Sequence, residues 1–293
     1  MNAIAPAALA AAGLAPLPDA LIEPIVSAAL AEDLGRAGDI TSEACIPAEA
    51  RFAANFAARG AGVVAGADCA RLALLALDPA ARFEIIAADG ETVQPGTVIA
   101  RAEANARAFL SAERVALNLM GRMSGVATLT AAYVAETAGT AARIIDTRKT
   151  TPGLRALEKY AVRCGGGANH RFGLDDAILI KDNHVAACGG VGPALERAKA
   201  RAGHMVKIEV EVDSLDQLAQ ALPYAPDVIM LDNFALDDLR RAVDLVAGRA
   251  VLEASGGVSL ATVRAIAATG VDLISVGALT HSAPNFDVGL DAA

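Results

Sequence analysis

Cationic residues follow two apolar runs of the sequence at the points where those runs end. The tripeptide TRK at 147–149 comes shortly after the run at 144–145, and Lys181 directly follows the run at 177–180. Short apolar runs of this kind predict strands, and α/β folds bind their ligands at the carboxyl ends of strands. Guanidinium and ammonium groups bind carboxylates and phosphates. The pattern therefore predicts a site for an anionic small molecule.

The segment 143–184, which contains both runs, is cationic within an acidic protein. It holds eight Lys or Arg and five Asp or Glu, a net charge of +3, whereas the chain of 293 residues carries −9. Nucleic-acid binding usually needs an extended basic surface, so the confined charge favours a pocket for an acidic small molecule and no nucleic-acid partner. The alternative is a solvated charged helix. It fits Arg155, Glu158, Lys159 and Arg163, but not the cations at strand ends.

Acidic residues occupy comparable positions further along the chain. Lys207, Glu209 and Glu211 alternate and therefore share one face of a predicted strand. Asp232 follows the apolar run at 228–231. Charges inside a barrel need partners or a metal ion. Internal ion pairs suit Lys207 and Glu209, whereas Asp232 has the position expected of a functional carboxylate.

Two turns of small residues end the last two predicted strands. They are Ser255-Gly256-Gly257 and Val276-Gly277-Ala278. Small residues there let backbone N–H groups approach a phosphate, so we assign both turns to a phosphate group. The glycines at 165–167 have two interpretations, approach to a substrate or a tight turn.

The elements that must position these residues follow a β-α rhythm from residue 143 onward. The predicted strands end near Arg148, Lys181, Glu211, Asp232, Ser255 and Val276, and the last four intervals are 21 to 30 residues. Six strands are too few for an eightfold barrel, so the rhythm permits an open sheet or an incomplete barrel. Upstream, residues 107–136 have the pattern of a long helix, which we expect to be broken near Gly121 and Gly125.

Composition narrows the class of protein further. The four cysteines show no CxxC spacing and the histidines no HExxH pattern, which argues against structural zinc and fits a reducing compartment. No Lys or Arg precedes Arg36, so a signal peptide lacks its positive region. No strongly apolar run is long enough to span a bilayer. We expect a cytoplasmic protein without a membrane partner.

The stretch at 143–184 resembles the signature of the quinolinate phosphoribosyltransferase family. DTRKTTPGLRALEKYAVRCGGGANHR and the following LIKDNH carry the resemblance. Further matches extend it over most of the chain, at 112–125, 209–214, 231–234, 253–257 and 276–282. It implies an α/β fold, an incomplete α/β barrel of the type II phosphoribosyltransferase kind with an N-terminal α/β sandwich domain. We expect an arm at 1–17, the sandwich at 18–125 joined by 284–293, and the barrel at 126–283.

The resemblance also implies a reaction. Phosphoribosyl pyrophosphate and Mg²⁺ would act with quinolinate, which is decarboxylated to nicotinate mononucleotide in de novo NAD biosynthesis. The implied quinolinate ligands are Arg148, His170, Arg171 and, from the neighbouring subunit of a homodimer, Arg114. The implied catalytic residues are Lys149, Lys181, Glu211 and Asp232, the last near Mg²⁺ and pyrophosphate. The remaining predicted substrate contacts are Thr147 and the turns at 255–257 and 276–278, which would hold the 5′-phosphate.

Three alternatives differ in chemistry. A homologous phosphoribosyltransferase would use a different acid, as the molybdenum-associated relatives do, and a comparison of quinolinate with nicotinate separates the two. A Schiff-base barrel lyase would use Lys149 or Lys181, and borohydride would trap its substrate. A regulatory barrel would have lost activity, but the full set of charged site residues argues against that interpretation.

Overall fold

The computed structural model describes residues 14–292, so positions 1–13 of the predicted arm lie outside the described residues. Within that range the chain forms two compact units, the first from 14–131, 150–166 and 282–292, the second from 132–149 and 167–281. Residues 150–166 therefore cluster with the first unit rather than with the strands that flank them in sequence. The domain boundaries expected from the sequence stay a prediction.

The described strands and helices alternate along most of the chain. The strands are β1 Arg51–Ala58, β2 Gly62–Val63, β3 Arg82–Ile85, β4 Thr92–Val93, β5 Val98–Asn105, β6 Arg143–Ile145, β7 Ile178–Ile180, β8 Ile208–Val212, β9 Val228–Asp232, β10 Val251–Ser255, β11 Leu273–Ser275 and β12 Val288–Ala292. The α-helices are α1 Asp19–Leu34, α2 Ile40–Cys45, α3 Ala67–Leu77, α4 Ala106–Glu136, α5 Arg155–Cys164, α6 Asp182–Cys188, α7 Val191–Arg201, α8 Leu215–Ala221, α9 Leu236–Val246, α10 Val263–Ala267 and α11 Ala278–His281.

The first unit is built on an antiparallel sheet with strand order β12-β1-β5-β3. The last strand of the chain, β12, pairs with β1, so the carboxyl-terminal segment completes this sheet. Phe56 and Phe109 are fully buried, with ring centroids 6.3 Å apart, and Phe52 meets Phe109 edge to face. These rings pack the sheet against α4, the helix that carries Phe109.

The long helix α4 is continuous, so the predicted break near Gly121 and Gly125 is wrong. The two glycines instead make room for the segment that leads into β12. A Cβ atom on Gly121 would lie 2.8 Å from the carbonyl oxygen of Phe286, and one on Gly125 would collide with that of Pro284. The backbone N–H of Phe286 donates to the carbonyl of Gly121. Glycine here serves close backbone approach, and tertiary packing offsets its low helix propensity.

Helix α5 is not the solvated charged helix that the sequence allowed. Glu158 and Lys159 are buried, with Glu158 fully excluded from solvent. Arg122 donates to Glu158 Oε1 at 2.8 Å, and Thr151 donates to the same carboxylate through its backbone N–H and its hydroxyl. The carboxylate is therefore satisfied by partners from elsewhere in the first unit.

The second unit is a parallel six-stranded sheet with order β6-β11-β10-β9-β8-β7. Its edge strands β6 and β7 are not paired with each other; one isolated bridge joins Ile145 of β6 to Ala168. Helices alternate with the strands, and Ser214 caps α8 through its hydroxyl, as its type and position predict. The predicted fold class, an incomplete α/β barrel with a separate N-terminal α/β domain, is confirmed.

None of the helices within residues 14–292 is both long enough and apolar enough to cross a lipid bilayer.

Candidate active site

The predicted site residues of the second unit lie at the carboxyl ends of its parallel strands. Thr147, Arg148 and Lys149 follow β6, and Lys181 follows β7. The other strand ends contribute Glu211, Asp232, the turn at 255–257 and the turn at 276–278. Parallel strands present their carboxyl ends at the same edge of a sheet. These residues therefore lie at one edge of the sheet, and their use in one shared site stays a prediction.

Arg148 and Arg171 form what we call the arginine cradle. Each Nε atom is buried and has no hydrogen-bond partner among the described residues. Arg171 also donates from Nη1 to the carbonyl oxygen of Ala177 at 3.0 Å, which anchors its side chain. Burial and the neighbouring charge of Arg148 lower the pKa of Arg171, only partly offset by Glu209 and Asp176. Two half-buried guanidinium groups with buried, open Nε donors are an environment for a bound anion.

The loop that carries His170 and Arg171 is organised by one buried carboxylate. Asp146, fully buried after β6, accepts from Asn169 Nδ2 at 2.6 Å and from the backbone N–H of His170 at 2.9 Å. Because Asp146 fixes the backbone at this point, it sets where the His170 and Arg171 side chains begin. Neither Asp146 nor Asn169 was predicted as a site residue, although both lie inside the recognised motif.

Hydrogen bonds fix the orientation of the His170 ring. Its Nδ1 accepts from the backbone N–H of Arg171 at 2.7 Å. Its Nε2 lies 2.9 Å from Glu209 Oε2 and 3.7 Å from Glu253 Oε2. A ring whose Nδ1 is an acceptor carries its hydrogen on Nε2 when neutral. Nε2 therefore donates to Glu209.

The same three side chains also have the composition of a metal-binding group. The candidate ligand atoms of His170, Glu209 and Glu253 all lie within 4.8 Å of one another. Metal binding at Nε2 would require the hydrogen to move to Nδ1, which already accepts from the Arg171 N–H. The geometry therefore favours a hydrogen-bonded acid–base cluster over a metal site.

Lys181 and Glu211 form an ion pair across neighbouring strand ends. Lys181 Nζ lies 3.3 Å from Glu211 Oε2, and half of the lysine side chain is exposed. The backbone N–H of Lys181 donates to His184 Nδ1 at 2.9 Å, which caps α6 and fixes the start of the lysine side chain. The ammonium group is thus held at the mouth of the sheet while remaining accessible.

Asp232 is positioned by its neighbour Asn233. Asn233 Nδ2 donates to Asp232 Oδ2 at 2.7 Å, and its backbone N–H donates to the carbonyl of Ser255. Gly256, with φ of +91°, leaves the space that the Asn233 side chain occupies, because a Cβ atom there would collide with Asn233 Oδ1. Asn233 was not predicted as a site residue, and its signal was its place directly after the predicted carboxylate.

Gly277 has a second role besides the predicted phosphate contact. A Cβ atom at Gly277 would lie 3.0 Å from Lys149 Cδ and 3.2 Å from His281 Nε2. Thr280 Oγ1 donates to the carbonyl oxygen of Lys149 at 2.9 Å. The absence of a side chain at Gly277 therefore leaves space for the aliphatic part of the Lys149 side chain.

Two residues singled out in the sequence do not lie at the carboxyl ends of the parallel strands. Arg114 is exposed on α4 in the first unit, and its contact with a neighbouring subunit stays a prediction. Lys207 does not pair with Glu209: its Nζ binds Asp227 at 2.5 Å, with three quarters of the lysine side chain exposed. The interpretation that Lys207 takes part in an internal ion pair is therefore wrong, because its side chain is exposed, whereas the buried Glu209 has an internal partner in His170.

Comparison with known proteins agrees with this geometry. The family described as quinolinate phosphoribosyl transferase, C-terminal domain, matches residues 126–291, and its N-terminal domain matches 39–124. The nicotinate-nucleotide pyrophosphorylase [carboxylating] of Mycobacterium leprae is 48% identical over 268 residues, which cover 90% of this chain and 94% of that protein. The quinolinate phosphoribosyltransferase [decarboxylating] 2 of Nicotiana glauca is 41% identical over 291 residues, covering 92% and 81%.

Among solved structures, the nicotinate-nucleotide pyrophosphorylase of Francisella tularensis is similar over 95% of this chain and 98% of its own, with a TM-score of 0.89 and 37% identity. Both domains of the family are matched, and the likeness extends through sequence and fold alike. The chain belongs to the quinolinate phosphoribosyltransferase family.

Proposed function

We propose that this protein transfers a phosphoribosyl group from phosphoribosyl pyrophosphate to quinolinate and releases CO₂, giving nicotinate mononucleotide for NAD biosynthesis. The observation that carries the proposal is the arginine cradle. Its two buried Nε donors lack partners among the described residues, and burial next to a like charge is costly unless an anion binds there. Quinolinate brings two adjacent carboxylates, which two guanidinium groups can each bind through paired hydrogen bonds.

Phosphoribosyl pyrophosphate would bind at the remaining strand ends. The turns at 255–257 and 276–278 would hold its 5′-phosphate, and Lys149 and Lys181 would supply ammonium groups for the other phosphates and the leaving pyrophosphate. Thr147 Oγ1 accepts from the Lys149 backbone N–H at 3.0 Å and thereby shapes the loop that presents the lysine.

Asp232 is the residue that suits Mg²⁺. Asn233 donates to its Oδ2 atom and no described residue donates to Oδ1, so one carboxylate oxygen remains available. Mg²⁺ typically binds through one or two carboxylates together with substrate phosphates, and a single half-buried aspartate at a strand end fits that pattern. When bound, the ion would neutralise charge on the departing pyrophosphate.

The protein's own residues then act mainly by position and charge. The cradle orients quinolinate so that its ring nitrogen faces C1 of the ribose, and the bond to pyrophosphate breaks as the C1–N bond forms. Positive charge develops on the ribose, and the Glu211 carboxylate stabilises it electrostatically. The ring nitrogen, now cationic, stabilises by its charge the electron pair that stays on C2 when the 2-carboxylate leaves as CO₂.

The proposal includes a cytoplasmic homodimer in which Arg114 reaches the neighbouring site. Its support is the exposure of Arg114 on α4 and its match to the family position, since no described residue forms an ion pair with it. Mixing Arg114→Ala protein with Arg171→Ala protein tests this directly. If the two sites share residues across subunits, mixed dimers regain activity that neither variant has alone.

One assay tests the reaction. Quinolinate labelled in the 2-carboxylate is mixed with phosphoribosyl pyrophosphate and Mg²⁺, and pyrophosphate and labelled CO₂ are measured together. Equal amounts of both support the proposal. Pyrophosphate formed from nicotinate but not from quinolinate would instead favour a homologous phosphoribosyltransferase with a different acid.

A further inference from the structure

Two buried glutamates of the second unit have no assigned use in the proposed reaction. Glu209 of β8 is 6% exposed and Glu253 of β10 is 1% exposed. Together with Asp146 after β6 they come from alternate strands of the sheet. Such interior positions in α/β barrels are usually filled with apolar side chains. Acidic side chains at these usually apolar positions therefore indicate a functional role.

The two carboxyl groups, which we call the carboxyl pair, are incompletely satisfied. Oε1 of Glu209 and Oε1 of Glu253 are both buried without a hydrogen-bond partner among the described residues. Two ionised carboxylates are acceptors only and cannot satisfy each other, whereas one protonated member can donate to the other. Burial raises the pKa of Glu253 well above its ordinary value, and the charges of Glu209 and Asp146 raise it further. One proton held between the two carboxyl groups would supply a donor where both groups otherwise only accept.

The carboxyl pair is connected to the substrate side by His170 and Arg171. Glu209 Oε2 accepts from His170 Nε2 at 2.9 Å, and Glu209 acts electrostatically on Arg171. Glu209 is therefore the member of the pair that acts on Arg171, while Glu253 is the more deeply buried member.

The proposed reaction needs such a proton. When the C2–carboxylate bond breaks, both electrons stay on C2 and CO₂ leaves, and C2 must then form a C–H bond. We propose that the proton shared by the carboxyl pair is the one that C2 accepts, delivered from Glu209. The O–H bond breaks as the C–H bond forms, the pair is left doubly ionised, and it regains a proton from solvent after product release. This inference rests on the proposed function.

Glu209 is then a catalytic residue and Glu253 a positioning residue that keeps the proton on the pair. Fast protonation also prevents the carbanion from recapturing CO₂ before it escapes. Without a donor, the dicarboxylated mononucleotide should persist after pyrophosphate has formed. It should also exchange its 2-carboxylate with dissolved CO₂, which no purely structural role of the glutamates would cause.

The test uses Glu209→Gln and Glu253→Gln in the full chain. Each amide keeps the shape and a hydrogen bond of the carboxyl group but carries no transferable proton. Asp227→Asn is the matched control, because it makes the same change next to Lys207 at the amino ends of β8 and β9. Rapid quenching and mass spectrometry follow pyrophosphate, CO₂ and the mononucleotides, with ¹³C-labelled CO₂ in the buffer. Benzene-1,2-dicarboxylate, which has no ring nitrogen to react, reports binding to the cradle.

We expect both Gln variants to form pyrophosphate at the wild-type rate in the first turnover and to release CO₂ about 10²-fold more slowly. The label should enter their dicarboxylated mononucleotide, and the affinity for benzene-1,2-dicarboxylate should not fall below that of the wild-type protein. Release of CO₂ at the wild-type rate by both variants overturns the inference. So does a parallel loss of pyrophosphate and CO₂ without label exchange, which indicates a structural role. Failure of the wild-type protein to form pyrophosphate from quinolinate is a separate result that refutes the proposed function itself.

Discussion

Two sets of buried carboxylates in this protein differ in how completely they are satisfied. Glu158 of the first unit is fully buried, and Arg122 and Thr151 supply four donors to its oxygens. Glu209 and Glu253 of the second unit are nearly as buried, yet each leaves one oxygen without a partner among the described residues. A buried polar group that is fully paired contributes to structure, whereas one left open lowers stability and indicates a functional requirement.

The arginines of the two units also differ in whether their donors have hydrogen-bond partners. Arg122 donates hydrogen bonds to Glu158 and to the carbonyl oxygen of Ala283. Arg148 and Arg171 keep buried Nε donors open and lie close enough for Arg148 to lower the pKa of Arg171. The comparison therefore predicts that substitutions in the first set reduce stability, and that substitutions in the second reduce binding or catalysis.

The largest effect is expected at Glu158. Glu158→Ala leaves the Arg122 guanidinium group, which is only 19% exposed, without its carboxylate. Breaking one side of a buried ion pair costs about 3–5 kcal/mol, so the free energy of unfolding should fall by that amount in denaturant titrations. Glu158→Gln, which keeps the acceptor for Thr151, is the matched control and should lose less. An unchanged midpoint for Glu158→Ala would break the comparison.

Arg148→Ala should have the next largest effect, and on binding instead of stability. Loss of charge-assisted hydrogen bonds worth about 3 kcal/mol lowers the affinity for quinolinate by about 10²-fold. The free energy of unfolding should not fall, because the substitution relieves repulsion with Arg171. Calorimetric titration and denaturation measure the two quantities. Wild-type affinity in this variant would show that Arg148 is not part of the cradle.

Asp232→Asn tests an acidic residue that is only half-buried. Removing one negative ligand should raise the Mg²⁺ concentration needed for half-maximal activity about tenfold, equivalent to about 1.4 kcal/mol. Asn233→Ala separates the loss of the metal ligand from the loss of its orientation, because it removes the hydrogen bond to Asp232 Oδ2 but keeps the Asp232 carboxylate. Equal Mg²⁺ dependence in Asp232→Asn and the wild-type protein argues against the assignment.

The smallest effect is expected at the amino ends of the barrel strands. Lys207 pairs with Asp227, but its side chain is 75% exposed. Exposed pairs of this kind contribute about 0–1 kcal/mol, and Asp227 also accepts from the backbone N–H of Ile208. Lys207→Ala should leave both the unfolding midpoint and CO₂ release close to wild type. A large loss of activity would mean that the two ends of the barrel are coupled.

The sequence was sufficient to predict that charged residues lie at the strand ends, because Lys181 and Asp232 directly follow apolar runs and Arg148 comes shortly after one. The periodic β-α pattern and the recognised motif predicted an incomplete barrel, which the strand order confirms. These features are local along the chain, and local patterns are what sequence analysis reads well.

Features that depend on distant partners were missed. Glu158 looked like a surface residue because Arg122, its partner, is 36 positions away. Gly121 looked like a helix break because the Phe286 backbone that needs its space lies in the carboxyl-terminal segment. Glu253 lay within a matched motif, but its burial beside Glu209 depends on two non-adjacent strands. Pairing of remote residues is set by tertiary packing, which leaves no local signal.

The central claim is that the arginine cradle binds a pair of adjacent carboxylates. Calorimetric titration of the wild-type protein with quinolinate and with nicotinate, which lacks the 2-carboxylate, tests it most directly when Arg171→Ala is measured alongside. We predict that quinolinate binds the wild-type protein far more tightly than nicotinate does, and that Arg171→Ala removes most of this difference. Equal affinity for the two acids, or a difference that survives Arg171→Ala, would contradict the account.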